Sequence, residues 1–138
     1  MNPIRSIIAV LGGVALVNVL TQLLEAMLIA AAAGGPVADA AALFAVRNRP
    51  AVLGATLASD ALVALLAGYT TAKIAGRREL LHAGAAAVVV TAALARGFTV
   101  GEGAALTPVW MRVAVVALTG SAMIAGAAIR ARAARSQT

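Results

Sequence analysis

Residues 50–69 form a continuous apolar run with one charged side chain, Asp60, at its midpoint. A run of that length matches the ~20 residues that a helix needs to cross the hydrocarbon core of a bilayer. A carboxylate halfway along such a helix lies where ionisable groups are costly and need a partner or a water-lined cavity. The rest of the chain must therefore bring polar atoms to Asp60 inside an otherwise apolar bundle. No other feature of the sequence restricts the fold as strongly.

A water-soluble bundle with one buried acid fails on composition. Only 12% of the 138 residues are charged, 62% are apolar, and the mean hydropathy is +0.97. Soluble domains carry about 25% charged residues, so too little polar surface exists here to coat a globule. The net charge of +6 does not mark a nucleic-acid binder, because the Lys and Arg residues fall mostly at the ends of apolar runs, where they orient spans in a bilayer. The chain has no cysteine, hence no disulfide and no thiolate metal site. The sequence reads as one all-α transmembrane domain over residues 1–138, an integral membrane protein with four helices across the lipid bilayer. Its alanine-rich, Arg-over-Lys composition fits a GC-rich bacterium, which would place it in the inner (cytoplasmic) membrane.

The first expected span covers residues 6–33. Met1-Asn2-Pro3-Ile4-Arg5 followed by apolar residues has the shape of a signal peptide, with Ala31-Ala32-Ala33 as a cleavage-like triplet. The run is long and interrupted by polar residues, so it reads as an uncleaved helix that Gly34-Gly35-Pro36 ends. Asn18, Gln22 and Glu25 follow i, i+4, i+7 spacing and put one polar stripe on that helix, facing protein and not lipid. Residues 37–48 are too few to span, and their apolar positions fit a short interfacial helix with Asp39 at its start. Pro50 suits the first position of a second span over residues 50–74.

Gly76-Arg77-Arg78-Glu79 is a tight charged turn into a third span, residues 80–98. Gly54/Ala58 and Gly68, Ala72, Gly76 on the second span, with Ala83, Ala87, Thr91 and Ala95 on the third, are small residues at four-residue spacing that let backbones approach closely. The two spans are expected to form a hairpin. Gly97 to Gly103, including Glu102, reads as a loop. Thr107 and Pro108 then supply an N-cap and first position for a fourth span, residues 108–129, with Ala117, Ser121 and Ala125 as its small face. The polar tail 130–138 is expected to fray or lie on lipid headgroups.

Charge counting gives the orientation. With both termini cytoplasmic, the inner side holds Arg5, Lys73, Arg77, Arg78, Arg130, Arg132 and Arg135, and the outer side Arg47, Arg49, Arg96 and Arg112. The bias favours an N-in, C-in compact four-helix bundle with the short connector helix outside. Phe44, Phe98 and Trp110 then sit at the outer interface and Tyr69 near the inner one, as an aromatic belt requires.

In that arrangement Glu25 lies ~13 Å and Asp60 ~15 Å below the outer ends of their spans, so the two acids share a level. Arg96 and Arg112 lie ~6 Å deep and could reach down to them. Asn18, Gln22, Glu25, Asp60, Arg96 and Arg112 therefore form the candidate polar cluster. Its bland reading is a satisfied network that fixes helix register, since buried polar groups must pair. Its functional reading is a proton, cation or small-ligand site. An Asp60 paired with an arginine would make Asp60→Ala the costliest change in the cluster.

Other motifs point nowhere. His82 is the only histidine and reads as interfacial, so no metal site and no cofactor is expected. Ser59 has no histidine at its depth to activate it, and neither Gly12-Gly13 nor Gly101-Glu102-Gly103 is a phosphate loop. The leading functional expectation is a non-enzymatic accessory or scaffold subunit, associating with itself or another membrane protein through its Ala/Gly seams. The alternative is an oligomeric channel or carrier for a proton, cation or small solute, using Glu25 and Asp60.

Overall fold

Proline and glycine punctuate the chain, and helices fill the intervals between them. The computed structural model describes residues 3–100 and 104–136, and places in them α1 (Pro3–Ala33), α2 (Ala40–Arg47), α3 (Pro50–Ala75), α4 (Glu79–Val100) and α5 (Val109–Arg135). There is no strand among the described residues. Four helices, α1, α3, α4 and α5, are long and apolar enough to cross a membrane, which points to a membrane protein.

The helix ends follow local chemistry. Gly34 adopts a left-handed φ of 76° directly after α1, and Gly76 does the same at 66° after α3, where its N–H donates to the Ala72 carbonyl. A residue without Cβ takes that conformation without strain. Asp39 caps α2 by accepting from the Ala42 N–H at 2.7 Å, and Pro50 opens α3 at its first turn.

Three expected boundaries are corrected. Residues 130–135 are not a frayed tail but the last turns of α5; alanine and arginine both favour helix, so nothing in that stretch stops it. Helix α4 runs through Gly97 to Val100 where a loop was expected, because one glycine lowers helix stability by only about 1 kcal/mol. Gly101, Glu102 and Gly103 lie outside the described residues. Helix α5 starts at Val109 with Pro108 as its cap and no side-chain cap bond, so Thr107 is not the N-cap.

Helix α3 is the axis of the bundle. It packs against α1, α4 and most extensively α5, whereas α1 and α5 make no close backbone approach to each other among the described residues. The closest approach is between α3 and α5. A Cβ on Gly68 would collide with the Met123 carbonyl, and one on Gly126 with the Leu65 carbonyl. Gly68 and Ala72 are thus consumed between α3 and α5, and Ala83, Ala72 and Ala127 meet in one small-residue cluster. The face of α5 expected to pack is corrected: Ala117, Ser121 and Ala125 are exposed, and Val115, Thr119, Met123, Gly126 and Ala127 are buried. Both faces of this helix are apolar, so hydrophobic patterning could not choose between them.

The two ends of the bundle differ. At the end carrying Arg77 and Arg78, the backbones are tight: Gly13 of α1 faces the Thr71 hydroxyl, and Arg5 donates from Nε to the Ile74 carbonyl in the last turn of α3. His82, expected at an interface, is buried there with its Nδ1 3.0 Å from the Arg78 carbonyl. At the opposite end α2 acts as a latch. Asn48 donates to the Leu106 carbonyl at 2.7 Å, and Arg49 to the Ala32 carbonyl at 3.0 Å. The helices diverge beneath that latch, and the space between them is the candidate site.

Candidate functional site

The site begins with helix geometry. Thr56 and Asp60 are one turn apart on α3 and so share a face. Asp60 stands ten residues into α3 and Thr119 ten residues into α5, each ~15 Å from the latch end at 1.5 Å per residue. Glu25 stands eight residues before the end of α1, ~12 Å deep. These side chains surround a cavity of about 260 Å³ between α1, α3, α4 and α5. Asn18, Gln22, Glu25, Arg47, Thr56 and Asp60 supply much of its polar lining, and Val17, Val90, Met111 and Val115 its apolar walls. A second, shallower space of about 460 Å³ lies toward the latch, lined mainly by apolar groups including Ile29, Leu43 and Phe44. Gln22, Glu25, Arg47, Leu94 and Phe98 line both, so they form the neck between a vestibule and a deeper chamber.

Of the six residues expected from sequence, the structure brings Asn18, Gln22, Glu25 and Asp60 to this chamber. Arg96 and Arg112 are not part of it. Arg96 is exposed, and Arg112 turns back to donate from Nε to the Thr107 carbonyl at 2.7 Å. The cation in the site is Arg47, from the short connector helix. It pairs through Nε with the Glu25 carboxylate, donates through Nη1 to the Thr107 hydroxyl at 2.7 Å, and lies 5.5 Å over the Phe44 ring. The reason is reach: Arg47 is in the last turn of α2, whose cap and latch bonds aim that turn back over the bundle. Arg96 sits on an exposed face of α4, and Arg112 finds a nearer partner in the Thr107 carbonyl.

The pair formed by Arg47 and Glu25 leaves Asp60 alone. Asp60 is 8% exposed and accepts no hydrogen bond among the described residues, so in place of a direct pair with Arg96 or Arg112 it has only the field of Arg47, which lines the same chamber. Thr56 is equally unusual. Thr21, Thr71 and Thr91 each donate their hydroxyl to the carbonyl four residues back, at 2.8 Å, the ordinary way an intrahelical threonine satisfies itself. Thr56 is 3% exposed, and its Oγ1 has no partner among the described residues. A carboxylate and a hydroxyl from one helix, both without a partner among the described residues, thus belong to one chamber's wall, the hydroxyl oxygen closed off from water. Reading the sequence had missed Thr56, Thr119 and Arg47. The Thr56-to-Asp60 spacing was a signal for the first; nothing in the sequence fixes the rotation of α2 that aims Arg47.

Chemically, the chamber can hold positive charge. Glu25 and Arg47 compensate each other, and Asp60 contributes one further negative charge beside hydroxyls and amides. No group of three His, Cys, Asp or Glu side chains that could hold a metal ion occurs among the described residues. No family model matches the chain, and no curated protein or solved structure shows significant similarity to it.

Proposed function

We propose that the chain is a small non-enzymatic membrane protein that takes up a proton or small cation at Asp60 and carries it through the bundle. The observation that supports this reading is Asp60, buried and without a hydrogen bond among the described residues, in a chamber that joins the vestibule under the latch. A buried carboxylate needs a compensating charge, a proton or water, and here the one cation within its field, Arg47, is already paired with Glu25. The tight backbones of Gly68, Gly126 and the Ala72, Ala83, Ala127 cluster at the far end fit a state open to one side.

The same reading orients the bundle N-in and C-in, in the inner membrane of a bacterium, with the vestibule outside. The distribution of basic residues supports it, with seven Lys and Arg at the end of Arg5, the α3–α4 turn and the end of α5 against four at the latch end. Single cysteines placed at Asn48 and Glu79 test the orientation: a membrane-impermeant thiol reagent applied outside intact cells is expected to label position 48 and spare position 79. The reverse pattern would invert the protein.

Carriage is tested in vesicles under an imposed potential, with protons, potassium and methylammonium offered in turn. At least one is expected to enter at least tenfold faster than into protein-free vesicles, and Asp60→Asn to abolish that excess while helix content and detergent elution are unchanged. Equal leakage for all three, with and without protein, would remove the proposal. A self-associating or accessory role is the second reading. Asn18 and Gln22 support it, because they are exposed to the surroundings near the middle of α1, where lipid offers amides no partner. A stoichiometric partner on purification together with no flux would put that role first.

A further inference from the structure

We infer that the chamber is built for a small organic monocation bearing N–H donors, an alkylammonium or amidinium ion, and not for a bare metal ion. The inference rests on the reading of Asp60 as a cation site and adds the class of cation. Charge comes first. Glu25 and Arg47 cancel, so an ionised Asp60 leaves the chamber with one negative charge in excess, which one monovalent cation balances.

Hydrogen bonding comes second. The deep groups still able to accept are the Asp60 carboxylate and, one turn away, the Thr56 hydroxyl, whose oxygen is closed to water and reaches an occupant by rotation about χ1, with Thr119 lining the chamber at the level of Asp60. A head with two or three N–H groups satisfies Asp60 and Thr56 together, through charge-assisted bonds to the carboxylate. A quaternary ammonium supplies the charge but none of the donors, and leaves Thr56 as it is. Unpaired buried hydroxyls are disfavoured strongly enough that a site of this type discriminates between ligands with and without the matching donor.

Size comes third. At roughly 30 Å³ per water, about 260 Å³ corresponds to some eight or nine waters. That is far more than a partly dehydrated alkali ion fills, and it suits a head with a short hydrocarbon body. Val90, Met111 and Val115 provide the apolar wall for that body beside the polar floor. The neck agrees with this class of ligand. Arg47 already places a guanidinium against Glu25 and over Phe44, so the same carboxylate and ring can receive the entering cation when the pair opens.

The experiment is a binding measurement on the full chain in mild detergent at fixed ionic strength, using n-butylammonium, acetamidinium, tetramethylammonium and potassium as probes. Thermal unfolding and titration calorimetry are read together. Butylammonium or acetamidinium is expected to raise Tm saturably and to bind at least tenfold more tightly than tetramethylammonium or potassium. Thr56→Val, which keeps the shape of the side chain and removes its hydroxyl, is expected to weaken butylammonium at least fivefold and leave tetramethylammonium unchanged. Asp60→Asn is expected to abolish both. If that variant fails to fold, Thr56→Val alone decides. Equal affinity for all four probes, or no change with Thr56→Val, overturns the inference. Should protons or potassium nonetheless pass through vesicles in an Asp60-dependent way, the carrier reading survives and only the class of cation falls. Should neither binding nor flux occur, both fall.

Discussion

Gly68→Val is expected to be the most damaging single substitution in the protein, and Gly54→Val on the same helix nearly harmless. At Gly68 the backbone of α5 crosses α3 so closely that any Cβ meets the Met123 carbonyl, whereas nothing lies within 4 Å of the position a Cβ would take on Gly54. A clash with the end of a flexible side chain can relax. A clash with a helix carbonyl can relax only by separating the helices. Overpacking typically costs about 1–3 kcal/mol where side chains can yield, so with a rigid obstacle the loss is expected at or above ~3 kcal/mol. The readout is recovery of monodisperse protein and its Tm in detergent. Gly126→Val, which meets the Leu65 carbonyl from the other helix, is expected to behave alike. A Gly68→Val protein as stable as the Gly54→Val protein would mean that α3 and α5 do not cross there.

The second large effect is expected at the neck. Arg47→Met removes the cation from Glu25 and the donor from the Thr107 hydroxyl in one step. Breaking a buried pair by deleting one partner costs about 3–5 kcal/mol, because the remaining charge is left uncompensated. The Arg47 and Glu25 side chains are 17% and 27% exposed, which places the expectation at the lower end, ~3 kcal/mol. That corresponds to a fall in Tm of roughly 10 °C for a chain of this size. Glu25→Gln added to Arg47→Met is expected to recover more than half of the loss, since the double variant buries no unpaired charge. Arg112→Met provides the contrast. Among the described residues its guanidinium donates to the carbonyl of Thr107, five residues earlier, and its removal is expected to shift Tm by no more than a degree or two. Equal losses in Arg47→Met and the double variant would show that Arg47 acts through packing over Phe44 and not through Glu25.

The sequence revealed the parts of this molecule that depend on distance along one helix. Four long apolar helices, the small connector helix, and the common depth of Glu25 and Asp60 all follow from counting residues between Pro, Gly and charged turns. Rotation about a helix axis was not legible in the same way. In water, the polar side of a helix betrays its buried side. On α5 no such asymmetry exists, and Thr119, Met123 and Gly126 turn inward although Ala117, Ser121 and Ala125 had the cleaner spacing. The identity of the arginine in the site failed for a related reason. Arg47, Arg96 and Arg112 all stand at depths from which a long side chain could reach the acids. What separates them is the direction of α2, set by the Asn48 and Arg49 latch bonds to residues 58 and 17 positions away in sequence.

Those long sequence separations carry a consequence for how the protein is made. Arg5 is bonded to Ile74, 69 residues later in the chain, and Gly13 reaches its close neighbour Thr71 across a similar gap. At synthesis rates of ~5–20 residues per second, α1 leaves the ribosome roughly 3–14 s before the end of α3 that it grips exists. During that interval the first helix has only lipid and the insertion machinery for company. It is equipped for the wait, having the highest mean hydropathy of the four spans, 2.2. It also makes no close backbone approach to α5, the last helix to emerge, among the described residues. Assembly can therefore proceed in birth order: α1 docks on α3 as that helix is completed, α4 folds back beside them, and α5 closes the far side without displacing anything already in place.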